Sequence, residues 1–378
     1  MSLGKQYVSE GREYRDPATG ARIVQLTNWK GHSNHFYFTT TSFVAGGREI
    51  VCVCDRDNQT NLFLLDLASG AIRQVTDSRG QIGPTYCCLN PVRREVYYFE
   101  GKTLCASDLD SFERRELYRV PEGRRVCILT PSGDGSLLAF AEITDLGWAT
   151  GPQYQGFPDF CKARPPTDIR VVQTDGAKDF VAVEVPCWVS HVNFSPKHRD
   201  VICYCHEGPW DMVEQRMWIC TTDGSKNYAL RPQDGEDSVG HEYWLGDGER
   251  VAFHNWRYSR SRGRADAEHR VGWIRWDNTD HEEFVFEAGS SHFQSNSDNT
   301  LIVGDGQTHT DPFILLWKVR DRQGRETRLA RHDCSGHIQR AHCHPIFSPD
   351  DRYVLYTSDH TGYCNVYLAE VGSQQDDG

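Results

Sequence analysis

Polar turns and short apolar runs alternate along this chain in a way that is typical of β-strands joined by hairpins. In one recurring unit, a turn such as Phe347-Ser-Pro-Asp-Asp leads into an apolar run, here 354–356. In a second unit, two apolar runs flank a turn, as around Asp168-Ile-Arg-Val-Val-Gln-Thr-Asp-Gly176. Turn-forming residues between β-branched and aromatic runs indicate hairpins. The pattern therefore predicts an all-β protein.

The first of these units recurs along most of the chain. The copies are spaced roughly fifty residues apart, which is the repeat length of four-stranded propeller blades. Seven copies can be counted, and they begin at Thr41, Leu89, Thr130, Phe194, Leu245, Asn296 and Phe347. We predict a seven-bladed β-propeller.

The two ends of the chain indicate how the ring closes. Residues 18–27 resemble 68–76, the final strand of a blade, whereas the last repeat stops early at 365–369. An unpaired strand edge invites aggregation, so we predict that an N-terminal strand at about 18–28 completes the last blade. The prediction makes 1–378 a single domain.

One interval does not match a blade. The segment at about 148–167 contains Gly151-Pro and Pro165-Pro, and it is too irregular for a regular strand. Long irregular connections in compact domains are often functional. We predict a functional loop over one face of the propeller.

Composition excludes several classes of protein. The chain has 378 residues and a formal net charge of −12, which argues against a nucleic-acid surface because such a surface must be basic. No apolar run reaches the ~18 residues of a membrane span, and the N-terminus lacks an apolar signal segment. We expect no membrane partner and, from the missing export signal, a cytoplasmic location. The oligomeric state is open. The 14 cysteines are expected to be buried reduced thiols.

A His-x-His pair near the C-terminus is a candidate metal site. Alternation along an extended segment would place His342 and His344 on one face, and imidazole is the commonest transition-metal ligand. His292 lies upstream between Gly/Ser-rich residues. Gln339 has the wrong parity and could join only through a turn or bulge. A chain with 16 histidines also produces such pairs by chance, so spacing alone leaves both interpretations open.

Histidine, arginine and tryptophan recur together in the later repeats. His206 could be a hydrogen-bonded core histidine, and Arg216 could be an ion-pair partner within a hairpin. Trp218 and Trp244 are expected to fill the cores of blades, where such rings are common. The neighbours of His241 do not form an apolar face, which favours a functional role for this residue.

These motifs keep a fixed order across about five repeats. They are Cys205-His206-Glu-Gly-Pro-x-Asp211, Arg216-Met-Trp218, His241-Glu-Tyr-Trp244, Ser291-His292-x-x-Ser295-Asn296, Val303-Gly-Asp-Gly306, Asp311-Pro-Phe313, Ala330-Arg-His-Asp333 and Gln339-x-x-His342-x-His344-Pro345. Over most of its length the chain resembles the oligogalacturonate lyases, bacterial seven-bladed propellers that degrade pectin fragments by β-elimination.

The resemblance implies an activity and a set of site residues. It implies a carbon–oxygen lyase that acts on short oligogalacturonides or another uronate oligosaccharide, with His241 as the Brønsted base and Arg216 as a transition-state partner. The implied manganese ligands are His292, Gln339, His342 and His344. Ligand chemistry alone does not select manganese, because imidazoles and an amide hold other divalent transition metals as well.

Some positions depart from the family or have no implied role. The stretch between Gly306 and Asp311 is short, Arg257 to His269 is basic, and Cys343 stands where related lyases have proline. These differences leave the uronate and the preferred oligomer length open. His206, His32 and His35 are further pocket candidates, with no role assigned.

Two other functions compete with the lyase. A non-catalytic, TolB-like propeller scaffold would explain the repeats but not the His/Arg/Gln motifs. A hydrolase propeller of the prolyl oligopeptidase type would need a Gly-x-Ser-x-Gly elbow in a separate domain, and the sequence contains neither.

Overall fold

The computed structural model describes residues 3–151, 154–259, 261, 263–307, 310–319 and 323–372. The chain divides into two compact units. Unit 1 comprises Met1–Pro84 and Glu287–Gly378, and unit 2 comprises Thr85–Phe286. Each unit is described by itself, and the prediction of a single domain over 1–378 stays a prediction.

Strands dominate both units. The strands of the first part of unit 1 are β1 (Gln6–Tyr7), β2 (Arg12–Arg15), β3 (Arg22–Gln25), β4 (Ser33–Asn34), β5 (Glu49–Cys54), β6 (Asn61–Asp66) and β7 (Ile72–Gln74). The strands of unit 2 are β8 (Cys87–Leu89), β9 (Glu95–Glu100), β10 (Thr103–Asp108), β11 (Arg114–Arg119), β12 (Arg124–Pro131), β13 (Leu137–Thr144), β14 (Thr167–Gln173), β15 (Asp179–Val185), β16 (Val189–Phe194), β17 (Val201–His206), β18 (Met217–Thr221), β19 (Asn227–Ala229), β20 (Val239–Trp244), β21 (Arg250–Arg257), β22 (Glu268–Arg275) and β23 (Glu282–Phe286). The strands of the second part of unit 1 are β24 (Phe293–Ser295), β25 (Leu301–Gly304), β26 (Phe313–Lys318), β27 (Gln323–Arg331), β28 (Ile346–Phe347), β29 (Tyr353–Ser358) and β30 (Asn365–Glu370).

Unit 1 contains three antiparallel sheets. Their strand orders are β1-β7-β6-β5-β4, β24-β25-β26-β27 and β2-β3-β30-β29-β28. In the third sheet β3 pairs with β30, with Ile23 opposite Ala369 and Val24 opposite Leu368. The N-terminal strand therefore completes the last sheet of the chain, as the similarity of residues 18–27 to a final blade strand predicted.

Unit 2 contains four antiparallel sheets of four strands each. Their orders are β11-β10-β9-β8, β12-β13-β14-β15, β16-β17-β18-β19 and β20-β21-β22-β23. Taken unit by unit, the described residues thus form seven sheets, in which neighbouring strands follow one another along the chain except for the pairs β1–β7 and β3–β30. That arrangement agrees with the seven sequence repeats.

Burial differs between inner and outer strands, since most side chains of β2 and β11 are partly or fully exposed. Nearly every side chain of β5 and β6 is buried. Several cysteines occupy these inner strands, including Cys52 and Cys54 on β5 and Cys203 and Cys205 on β17. The prediction that cysteines serve as small apolar side chains agrees with this burial.

The described residues of the interval at about 148–167 form no blade strand before β14, but they include a helix that the sequence did not predict. Helix α1 (Phe157–Ala163) follows Gly156, whose φ of 72° allows the tight entry. Phe160 is fully buried and contacts Trp188 with ring centroids 4.7 Å apart. Pro152 and Gln153 lie outside the described residues. Among the described residues, no helix has the length and apolar character that crossing a membrane requires.

Candidate metal centre and catalytic residues

Three histidines of unit 1 converge on one point. The ligand nitrogens of His292, His342 and His344 lie within 4.8 Å of one another. His292 directly precedes β24, while the other two follow the 3₁₀ helix Gln339–Ala341 and precede β28. The rings of His292 and His344 are 4.3 Å apart at their centroids. The segments that lead into β24 and β28 thus bring distant parts of the sequence to one candidate metal centre.

Gln339 lies beside this centre. A regular strand would have pointed its side chain away from the histidines, and the 3₁₀ helix Gln339–Ala341 supplies the turn that brings it back. Nε2 of Gln339 lies 3.3 Å from Nε2 of His344. We expected alternation along an extended segment to place His342 and His344 on one face, and that explanation is wrong. His344 has a left-handed φ of 47°, so the segment is not a regular extended strand, and a turn rather than simple alternation aims the two rings.

The protonation state of His344 suits a metal ligand. Burial is the main reason why the pKa of His344 lies well below its ordinary value, and the neighbouring imidazoles of His292 and His342 lower it further. A ligating histidine must be neutral. The donor set therefore fits a divalent transition metal, with three imidazoles and one amide available.

Asp305 orients His292. Nδ1 of His292 donates to Oδ2 of Asp305 across 2.6 Å, and the backbone N–H of His292 donates to the other carboxylate oxygen. Burial alone would raise the pKa of Asp305, but His292 and these hydrogen bonds lower it to about 2. The ionised carboxylate fixes the tautomer and leaves Nε2 of His292 for a metal. Asp305 belongs to the Val303-Gly-Asp-Gly306 motif of the family resemblance, which assigned no role to this aspartate. An acidic residue in such a motif is the signal that could have indicated one.

Two of the pocket candidates of unit 1 make structural contacts. His35 is buried, its Nε2 donates to the backbone oxygen of His344 across 2.7 Å, and its Nδ1 accepts from Thr357 Oγ1. His35 therefore supports the candidate ligand His344 rather than adding a ligand of its own. His32 is half-buried, and its Nδ1 accepts the backbone N–H of Cys364.

In unit 2, Arg216 lies inside a buried ionic network. Its Nη1 donates to Glu207 across 2.9 Å and its Nε donates to Glu242 across 3.1 Å. Glu242 also contacts Nδ1 of His191 at 2.8 Å. Burial opposes the ionisation of Glu242, but Arg216 and then His191 hold its pKa well below the usual range. Arg216 is thus an ion-pair residue, as one interpretation of the sequence had it. The sequence did not reveal its partners Glu207 and Glu242, or His191, which contacts Glu242.

His241 lies beside this network at an irregularity of β20. The register between β20 and β21 shifts between Gly240 and Tyr243, and His241 has a φ of 51°. Its Nδ1 is 3.3 Å from Nδ1 of His254, a residue that the sequence analysis did not single out. The ring of His191 lies 6.4 Å from that of His241 at the centroids.

Trp218 and Trp244 pack as predicted for core residues, and His206 contacts the first of them. The ring of His206 stacks on Trp218 with centroids 4.7 Å apart. Burial, followed by the charges of Arg164 and Arg216, lowers the pKa of His206 to about 4. Trp218 and Trp244 each pack against a buried apolar cluster of unit 2.

Among the described residues, two further groups resemble metal sites but have donors that are already engaged. In the group of His332, Cys334 and Cys343, Nε2 of His332 donates to the backbone oxygen of Asp305, and its Nδ1 accepts the N–H of Cys334. The second group is His191, Cys205 and Glu242, whose carboxylate belongs to the Arg216 network.

The segments that depart from the family pattern are only partly described. Within the basic stretch, Arg257 pairs with Asp234, Glu236 and Asp237, so its charge is balanced locally. Arg260 and Arg262 in that stretch, and Thr308 and His309 between Gly306 and Asp311, lie outside the described residues.

Comparison with known proteins shows the family of this chain. The family model described as oligogalacturonate lyase matches residues 1–374. The chain belongs to the oligogalacturonate lyase family. An oligogalacturonide lyase of Pectobacterium atrosepticum is 28% identical over 400 residues, which cover 98% of each chain. Membership confirms the predicted enzyme class and leaves no support for a non-catalytic scaffold.

Solved structures of oligogalacturonate lyases share the fold. One, in complex with manganese, matches with a TM-score of 0.90 and 27% identity over 99% of each chain. Another, from Vibrio parahaemolyticus, matches with a TM-score of 0.89 and 25% identity over 98% of this chain and 99% of that one. Together with the seven sheets, these matches confirm the seven-bladed β-propeller. The assignment of individual ligands and catalytic residues stays a prediction.

Proposed function

We propose that this family member cleaves short oligogalacturonides by a metal-assisted β-elimination in which His241 removes the C5 proton. Family membership supports the activity and the substrate class. The observation that carries the metal-assisted part is the convergence of His292, His342 and His344 within 4.8 Å, with Asp305 holding His292. The solved relative in complex with manganese supports manganese as the ion.

The difficulty of the reaction explains why a cation is needed. In a 4-linked uronate, the C5 hydrogen lies next to a carboxylate, so its removal adds negative charge to a group that is already anionic. A bound divalent cation supplies Lewis-acid stabilisation of that developing charge. In this chain His292, Gln339, His342 and His344 would hold the ion. A net charge of −12 makes such a local positive charge important for binding a polyanionic substrate.

His241 has the chemistry of the base. A neutral imidazole accepts protons near physiological pH, which suits general-base catalysis. Arg216 is proposed as a transition-state partner. Because Glu207 and Glu242 already contact its guanidinium, we expect its contribution to come from directed hydrogen bonds rather than from net positive charge.

An activity assay on metal-stripped protein tests the proposal. The protein is mixed with digalacturonate and trigalacturonate, with and without added manganese, and ultraviolet absorbance reports the new carbon–carbon double bond of the unsaturated product. We expect an absorbance rise that requires the metal. A rise only with another uronate oligomer would change the substrate, and no rise with any uronate would contradict the proposed function.

A further inference from the structure

The candidate base His241 has a histidine neighbour that the proposed function does not use. His254 lies on β21 opposite Gly240, at the point where the register between β20 and β21 shifts and where His241 is located. The two Nδ1 atoms are 3.3 Å apart, and the rings meet edge-on at 65° with centroids 4.9 Å apart. At this distance one nitrogen carries the hydrogen and the other supplies the lone pair.

His254 is held rigidly. It is only 1% exposed, and the ring of Trp210 contacts it edge-on with centroids 5.1 Å apart. The close approach also depends on Gly240, because a Cβ at that position would lie 2.9 Å from Nε2 of His254. His241, by contrast, is half-buried. The buried ring is therefore the fixed partner, and the more exposed ring is the one that it orients.

We propose that His254 is a positioning residue for the base, accepting the Nδ1–H of His241 and so leaving Nε2 of His241 as the atom that takes the substrate proton. This inference rests on the proposed function, in which His241 removes the C5 proton. It assigns one tautomer to His241, and that tautomer determines which nitrogen has the free lone pair.

The proton and electron balance follows directly. The C5–H bond breaks and the proton binds Nε2 of His241. The electron pair of that bond forms the C4–C5 double bond, and the C4–O bond breaks with its pair leaving on the glycosidic oxygen. The Nδ1–H of His241 stays in place throughout, donating to His254 before and after the transfer. His254 thus holds the ring steady as its charge changes, without taking a proton itself.

Two variants of His254 separate positioning from packing. His254→Leu fills the space but offers no acceptor, whereas His254→Asn places an amide oxygen near the position of Nδ1. We expect kcat to fall roughly ten- to a hundredfold in the leucine variant, as for the loss of other partners that orient a histidine, with KM nearly unchanged. The asparagine variant should recover most of kcat.

A spectroscopic signature makes the test independent of activity. Nitrogen-15 NMR of histidine-labelled protein, with the His241→Ala variant used to assign the signal, shows which nitrogen of His241 is protonated. We expect protonation at Nδ1 in the wild type and in His254→Asn, and a mixture of tautomers in His254→Leu. A wild-type His241 protonated at Nε2 would overturn the inference, even if the leucine variant failed to fold.

The outcomes also separate this inference from the proposed function. If the wild type cleaves uronates and His241→Ala does not, but His254→Leu keeps full kcat and an unchanged tautomer, only the role of His254 is wrong. If His241→Ala remains fully active, the base assignment itself is wrong, and the inference falls with it.

Discussion

In two regions of the molecule a neighbouring side chain orients a histidine. One is the metal cluster of unit 1, formed by His292, His342 and His344, and the other is the His241 cluster of unit 2, formed by His241 and His254. In each cluster a histidine meets an orienting group through Nδ1. His292 donates to the buried carboxylate of Asp305 across 2.6 Å, whereas His241 lies 3.3 Å from the imidazole of His254. The same side chain therefore has an anionic partner in one place and an imidazole partner in the other.

The difference agrees with the role proposed for each histidine. An anionic partner increases the electron density of a ligating imidazole, and the bound cation balances its charge. A base has to become cationic and then release its proton. A buried carboxylate beside it would stabilise the imidazolium and hold that proton. An imidazole partner fixes the ring without this penalty, so the charge of the partner is matched to the task.

The largest predicted effect comes from removing one histidine from each cluster. His241→Ala should lower kcat by roughly 10²- to 10⁴-fold, the usual contribution of a general base, while manganese content and fold are retained. His342→Ala should lose both manganese and turnover. Elemental analysis of the purified variants and the unsaturated-product assay measure the two properties separately.

Either of two results would contradict this division of roles. An active His241→Ala variant would remove that residue from the base role. A His342→Ala variant with full manganese and full activity would show that the ligand set is wrong. Circular dichroism of both variants is the control for folding.

The sequence was sufficient for the repeats but not for the partners of the functional residues. Periodic turns before apolar runs determined the seven sheets, because those features are local. Asp305 and His254 could not be predicted in the same way, since their roles depend on contacts across a strand pair. The left-handed backbone of His344 was also unforeseen, because Cys343-His344-Pro345 contains no residue that signals it. Long-range hydrogen bonds decide these features.

A smaller effect, on manganese affinity, is expected when Asp305, the anionic partner of His292, is replaced by a neutral residue. Asp305→Asn keeps the shape of the side chain but removes its charge, so we expect manganese to bind roughly 10- to 100-fold more weakly. At saturating manganese, kcat should return close to the wild-type value. Calorimetric titration of metal-stripped protein measures the affinity, and Asp298→Asn, in an exposed turn of the same unit, is the matched control.

Unchanged manganese affinity in Asp305→Asn would contradict the proposed difference between the two clusters, because the charge of Asp305 would then have no effect on His292 as a metal ligand. A loss of kcat that saturating manganese does not restore would contradict it differently, by giving Asp305 a role beyond holding His292.

The smallest predicted effect concerns acid, to which the two clusters should respond over different pH ranges. Burial lowers the pKa of His35 from 6.5 to about 4. The unfolded chain therefore binds this proton at a higher pH than the folded chain does. The stabilisation is complete above about pH 6.5 and is lost as the pH falls toward 4. In unit 2, the lowered pKa values of Glu207 and Glu242 make acid harmful only below the ordinary glutamate range, near 4.5.

His35→Gln isolates this contribution, because the glutamine amide can still donate to the backbone oxygen of His344. Between about pH 7.5 and about pH 5, metal-stripped wild type should lose about 2 kcal/mol more free energy of unfolding than the variant. Urea denaturation at each pH measures this, with His337→Gln, an exposed histidine of unit 1, as the control that should follow the wild type. If wild type and His35→Gln lose the same free energy of unfolding, His35 does not determine the acid sensitivity of the protein in this pH range. The difference between the two clusters would then be limited to the side chains that orient their histidines, Asp305 and His254, and would not extend to their response to acid.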